Sequence, residues 1–240
     1  MEYGLQLYSV RDFTEKELAY TLEQVAKIGY KYVEFAGFFG HSAEEVKEML
    51  DANGLIVSGT HSGLADLEND FAGTVKYHQA IGNNNYILPG APYQTAAELD
   101  DTIAKLNKFQ PMLAAEGITL GYHNHSGEFL PNADGQIPHE EMEKRTSVNF
   151  EIDTYWAYVA GKDPVELITR LQDRVKVIHL KDGLQNGDGF ALGEGTAPVA
   201  AVYARAKELG MQMVVESETL KPDGLSEVTR CMDYLKKLQK

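Results

Sequence analysis

Short runs of apolar, strand-favouring residues take turns along the chain with longer segments whose apolar positions recur at helical spacing. Gly4 to Val10 predicts a strand. A helix from Glu15 to Ile28 follows, with Leu18, Leu22, Val25 and Ala26 on one face, Thr14 as N-cap and Gly29 as stop. Predicted strands at 32–36 and 55–60 flank a helix capped by Ser42, which carries Val46, Met49 and Leu50 and ends near Gly54. A third helix is expected from Asp66 to Ile81, and a short strand, 86–88, precedes Pro89-Gly90. Positions 96 to 115 predict a long helix that Gly117 ends. Pro111 should kink or break it, since it lacks an N–H and crowds the carbonyl one turn back.

The second half repeats the scheme. Strands are expected at 118–123, 148–153, 175–180 and 213–215. Between and after them lie a helix from Pro164 to Leu171 capped by Asp163, another from Pro198 to Leu209, and a closing one from Ser226 to Leu238. The stretch from Ser126 to Thr146, with Pro131, Gly135 and Pro138, reads as a long loop after the fifth strand.

About eight strand–helix alternations without a composition break imply parallel strands joined by crossover helices. That number favours an α/β fold with a single (β/α)8 TIM barrel over residues 1–240. A doubly wound sheet should carry a Gly-rich turn after its first strand, where this chain has Ser9-Val10-Arg11-Asp12. No phosphate-binding P-loop pattern occurs either.

Length and composition suit one large core: 240 residues, 43% hydrophobic and 24% charged. The formal charge of −14 repels phosphate backbones and anionic lipid, so nucleic acid and membrane surfaces are poor general partners. Cys231 is the only cysteine, which excludes an internal disulfide and a thiolate metal cluster. The start, Met1-Glu2-Tyr3-Gly4, lacks the basic flank and apolar stretch of a signal peptide, and no apolar run is long enough to span a membrane. The expectation is a cytoplasmic protein.

In a parallel barrel the chemistry sits at the C-terminal ends of the strands. Those ends offer Gln6, Tyr8, Arg11, Glu34, His61, His123, His125, Glu151, Asp153, Trp156, His179, Lys181, Asp182, Glu216 and Glu218. Five of the seven histidines fall at or just past strand ends; His78 and His139 do not. Four groups from consecutive strands, His123, Asp153, His179 and Glu216, form a candidate ligand set for a divalent ion. Period two puts Glu151 with Asp153 on one face, and Glu216 with Glu218. Buried carboxylates in such apolar runs require a cation or a Lys/Arg partner. Trp156 and His61 are expected to line the pocket and Glu34 to bind substrate, although pairing with a neighbouring Arg or Lys is an alternative for Glu34. Tyr203, Tyr234 and Cys231 read as packing residues, and Gly193-Glu194-Gly195 by itself marks only a tight turn.

The segments Tyr122-His123-Asn124-His125 with Glu128-Phe129, Asp153-Thr154-Tyr155-Trp156 with Gly161-Lys162-Asp163-Pro164, His179-Leu180-Lys181-Asp182, Gly193-Glu194-Gly195 and Val215-Glu216 stand in that order. The ordered set resembles the xylose isomerase-like TIM barrels, a superfamily of sugar isomerases and epimerases, inosose dehydratases and endonuclease IV. The resemblance implies one divalent metal ion (Mn2+, Co2+, Zn2+, Fe2+ or Mg2+), a small carbohydrate substrate and a possible homo-oligomer. It also implies proton abstraction next to a carbonyl through an enediolate. Glu216 is then both ligand and base, with His125, Glu128 and Lys181 as further catalytic candidates. The epimerase branch has Glu where this chain has His123, which puts two-carboxylate epimerisation in question. Elimination beside a ketone, as in a dehydratase or lyase, is the alternative. A DNA-repair role conflicts with the acidic charge, and a non-catalytic sugar-binding barrel would bind without metal.

Overall fold

The computed structural model describes residues 1–239; Lys240, the last residue of the predicted domain, lies outside them. Eight strands pair in parallel and close on themselves: β1 (Gly4–Gln6), β2 (Tyr32–Ala36), β3 (Ile56–His61), β4 (Asn85–Leu88), β5 (Thr119–His123), β6 (Asn149–Asp153), β7 (Val175–Leu180) and β8 (Gln212–Val215). Each pairs with its sequence neighbours, and β1 pairs with β8 to complete the ring. Helices cover the outside. Their apolar stripes, for example Leu22 and Val25, Leu106 and Phe109, and Val228 and Leu235, bury against outward strand residues such as Leu5, Val33, Phe35 and Val215. This is the (β/α)8 barrel expected from the alternation.

Local chemistry altered four expected elements. The first strand stops at Gln6, and Leu7–Val10 form a 3-10 turn leading into a short helix, Arg11–Thr14. The Gln6 side-chain oxygen accepts the Tyr8 N–H at 2.9 Å, a local bond that competes with the strand ladder. Thr14 ends that short helix with a buried, unpartnered hydroxyl, so it caps nothing; the next helix, Leu18–Ile28, begins after Glu17. The single helix expected over 66–81 is two, Leu64–Asn69 and Phe71–Ala80, because Asp70 leaves the helical region and accepts the Gly73 N–H as a new N-cap. The helix Ala96–Ala115 runs through Pro111. Its core side, Leu106, Phe109 and Leu113, is buried, whereas Pro111 and Asn107 are exposed, so the proline's missing N–H falls on the solvent side of the helix.

The segment expected as a loop after β5 carries structure: a 3-10 turn, Gly127–Phe129, and a helix, Pro138–Arg145. Pro at the helix start, Glu140 and Glu141 in the first turn and Lys144 and Arg145 in the last suit the helix dipole. His139 fastens this helix to the barrel, its ring stacked between Phe129 and Phe150 at 4.5 and 4.7 Å.

The inside of the barrel is unusual in its polarity. Such interiors are generally filled by branched aliphatic side chains. Here Gln6 and Glu34 are neighbours in register, as are His123 with Glu151 and Asp153 with His179. Gly59 leaves room among them: a Cβ there would lie 2.8 Å from Ile87 Cδ1 and 3.2 Å from Glu34 Oε2.

Candidate active site

At the C-terminal mouth, His179 stands on β7 with no exposed surface. Its Nδ1 lies 3.3 Å from Glu216 Oε2, just past β8. Asp153 ends β6; its Oδ1 accepts the Trp156 N–H at 2.8 Å and caps the helix Thr154–Val159. Asn124 fixes the Asp153 backbone from the neighbouring strand end, donating to its carbonyl at 3.2 Å and accepting its N–H at 3.1 Å. Asp153 Oδ2 is buried and has no hydrogen-bond partner. Lys181 Nζ sits 3.2 Å from Glu216 Oε2 and 3.9 Å from Asp153 Oδ2, and contacts Glu218. The Trp156 ring covers that ammonium at 4.7 Å.

His123, Asp153, His179 and Glu216 each offer one donor atom, and the four atoms lie within 4.8 Å of one another. All four residues are buried. Two imidazoles, two carboxylates and an unpartnered Asp153 oxygen fit a divalent transition metal. A second grouping, His61, His123, Glu151 and His179, meets the same distance test deeper in the barrel. The three rings of His61, His123 and His179 have centroids 4.7–5.4 Å apart.

The charges are strongly coupled. Burial alone would raise the Glu216 carboxyl, but Lys181 and His179 hold it well below the usual carboxylate range. Burial lifts Asp153 to about 7 against the pull of Lys181. Burial, with the Glu34 charge, pushes Glu151 up to about 8. Burial opposes protonation of His61, yet Glu34 and Glu151 bring it to about 10. Burial and the neighbouring imidazoles hold His123 well below the ordinary histidine value.

A cavity of about 390 Å³ opens over these groups, lined by Tyr8, Ala36, His61, Pro89, His123, His125, Glu216 and Glu218. His61 and His125 therefore stand where the sequence placed them, His125 half-exposed at the rim. Trp156 stands one step back, behind Lys181 and 6.1 Å from the His125 ring. Two candidates lie deeper than expected. Glu34 has no exposed surface and lies beneath His179 and His61, at 2.9 and 3.1 Å, so its contacts are with the histidines rather than the cavity. Glu128 is buried, and its oxygens accept the Tyr122 hydroxyl at 3.2 Å and the His125 N–H at 3.0 Å. These two bonds tie Glu128 to the rim loop.

Sequence reasoning missed two supports. Asn124, inside the Tyr-His-Asn-His run, is a strap between strand ends. Asp182 accepts four backbone N–H groups, from Gly183, Gly193, Gly195 and Ala197, at 2.8–3.2 Å. The glycine turn is thus fastened to the end of β7, and its amides are already spent. A Cβ on Gly195 would fall 2.4 Å from Asp182 Oδ1, which is why glycine stands there. The signal was present as a buried Asp and a paired-Gly turn, but nothing local joined them.

Fold and site together define a barrel enzyme with its chemistry at the C-terminal strand ends. Residues 22–238 match the model of the xylose isomerase-like TIM barrel family, and the chain belongs to that family. It is 24% identical to an inosose dehydratase of Mesomycoplasma hyopneumoniae over 90% of this chain and 87% of that one. A sugar phosphate isomerase/epimerase from Parabacteroides distasonis superposes with a TM-score of 0.85 at 27% identity, covering 98% of both chains. A probable 3-DHS dehydratase from Bacillus anthracis shares the fold with a TM-score of 0.77 at 12% identity, over 98% of this chain and 99% of that one. No helix among the described residues is long and apolar enough to cross a membrane.

Proposed function

We propose that this protein is a divalent-metal-dependent enzyme that abstracts a proton next to the carbonyl of a small sugar or keto-sugar and returns it to give an isomer or epimer. The observation that carries the reading is the convergence of His123, Asp153, His179 and Glu216 from four consecutive strands onto one point beneath a solvent-facing cavity. The isomerase/epimerase relative supports this reading, and the inosose dehydratase relative supports the second one below. An ion held there supplies Lewis acidity that stabilises negative charge developing on the substrate oxygen. The two histidine ligands favour Mn2+, Co2+, Fe2+ or Zn2+ over Mg2+, which prefers oxygen donors.

The chain's own groups supply the rest. Glu216 is kept ionised by Lys181 and His179, faces the cavity and takes the carbon-bound proton. Lys181, 3.2 Å away, carries a proton beside it. The Trp156 ring covers the Lys181 ammonium at 4.7 Å and backs the site there.

A second reading is elimination of a neighbouring hydroxyl. The mouth set has His123 where the epimerase branch has Glu, and Lys181 lies 3.2 Å from Glu216. A base and an acid side by side suit syn loss of water. Incubation of metal-loaded protein with keto-sugars in D2O separates the readings. Deuterium at carbon without loss of water supports isomerisation or epimerisation; a growing enone absorbance supports elimination. Neither signal, with metal bound, sinks both.

A further inference from the structure

The mouth cluster does not use the deeper chamber formed by Glu34, His61 and Glu151. We propose that this chamber, closed by the inner nitrogen of His179, is a second cation site for a divalent ion of the Zn2+, Co2+ or Mn2+ class. The proposal shares His179 with the mouth site of the proposed function and otherwise rests on separate residues.

The first support is geometric. His61 Nε2 lies 2.8 Å from Glu151 Oε2 and 3.1 Å from Glu34 Oε1. His179 Nε2 lies 2.9 Å from Glu34 Oε1 and 3.3 Å from Glu151 Oε2. Four donor atoms thus trace a closed cage. A tetrahedral ion with bonds of about 2.0–2.1 Å holds its ligands roughly 3.3 Å apart, so a slight expansion of this cage accommodates one.

The second support is unmet polar demand. Glu34 Oε2 and Glu151 Oε1 are buried without hydrogen-bond partners. Lys181 serves Asp153, Glu216 and Glu218, and the ion pairs of Glu34 and Glu151 are with histidines alone. Two desolvated carboxylates side by side hold positive charge between them, from His61 and His179 in the metal-free chain and from a divalent ion in the loaded one.

The third support is access. A second cavity, about 240 Å³, opens from the opposite end of the barrel and reaches Glu151 between Ser58, Asn85, Gly121, Asn149 and Gln212. It brings open space up to Glu151, one of the inner carboxylates, from the side away from the mouth. With both sites loaded His179 would offer Nδ1 to the mouth and Nε2 to the inner site, and both of its ring protons, which Glu34, Glu151 and Glu216 favour in the metal-free chain, would leave to solvent.

The test is metal stoichiometry by elemental analysis after Zn2+ or Co2+ loading and gel filtration. It uses the wild-type chain, Glu151→Gln, His61→Ala and Asp153→Asn, with circular dichroism as the folding control and the near-isosteric Glu151→Gln as the variant most sure to fold. The expected result is two ions in the wild type and one in each variant. The Co2+ visible band should also change between the first and second equivalents in the wild type alone. One wild-type ion that follows Asp153 and ignores His61 and Glu151 overturns the proposal and leaves the mouth site standing. One ion that follows His61 and Glu151 but survives Asp153→Asn supports the deeper site and overturns the mouth site. No ion in any protein overturns both.

Discussion

Glu34 and His179 are 145 residues apart in the chain, yet Glu34 Oε1 lies 2.9 Å from His179 Nε2. Glu34 also accepts from Gln6 Nε2 at 2.6 Å. The carboxylate therefore holds the imidazole from behind, with Nδ1 facing Glu216 and the mouth. Breaking a buried charged network on one side costs about 3–5 kcal/mol. Glu34→Ala should lower metal-free stability by about that much in urea titration, whereas Glu34→Gln, which keeps an acceptor oxygen, should lose clearly less. Equal losses would show that the contact does not orient His179.

Glu216 is the ionised carboxylate that lines the cavity within reach of both His179 and Lys181. Glu216→Gln should reduce turnover by about 10²–10⁴-fold, the usual worth of a positioned base, with the fold intact. An undiminished rate of solvent deuterium exchange in this variant would assign the base elsewhere.

Lys181 lowers the affinity of Glu216 for a proton. Without that ammonium the carboxyl must bind its proton at higher pH. Lys181→Met should therefore move the acid limb of the pH–rate profile upward, in addition to slowing the reaction. An unmoved limb would mean that the limb reports another group.

His78 provides a pH test of stability remote from the mouth. It is buried, its Nδ1 lies 2.9 Å from Asn83 Nδ2, and burial lowers its pKa from 6.5 to about 4. The folded state thus keeps the ring neutral while the unfolded chain protonates near 6.5. Stability from this group is complete above pH 6.5 and is lost as pH falls toward 4, by about 3 kcal/mol in total. Chemical denaturation from pH 8 to 4 should show the loss, and His78→Gln should flatten it.

Asp182 gathers four amides of the turn after β7. Asp182→Ala leaves them without acceptors. It should destabilise the protein by about 3–5 kcal/mol and open the turn to faster amide exchange, read by hydrogen–deuterium exchange at residues 183–197. Unchanged protection there would show that the turn holds itself.

The order of elements and the polar residues that stand at the strand ends were legible in the sequence because both depend on local pattern. Alternation of strand and helix periods set the barrel, and His123, Asp153, His179 and Glu216 could be placed at strand ends by counting residues. The same local reasoning failed where a side chain competed with its own backbone, as Gln6 and Asp70 do. Depth was decided by tertiary structure alone. Glu34 and Glu216 look alike as strand-end carboxylates, yet one lies wholly beneath the histidines and the other lines the cavity. The stagger of strands around a closed barrel, with register shifts at Val33/Glu34 and Phe150/Glu151, determines how high each residue sits along the axis. Closing the ring brings β1 against β8 and Glu34 against His179. Those contacts join residues far apart in sequence, so no local period encodes them.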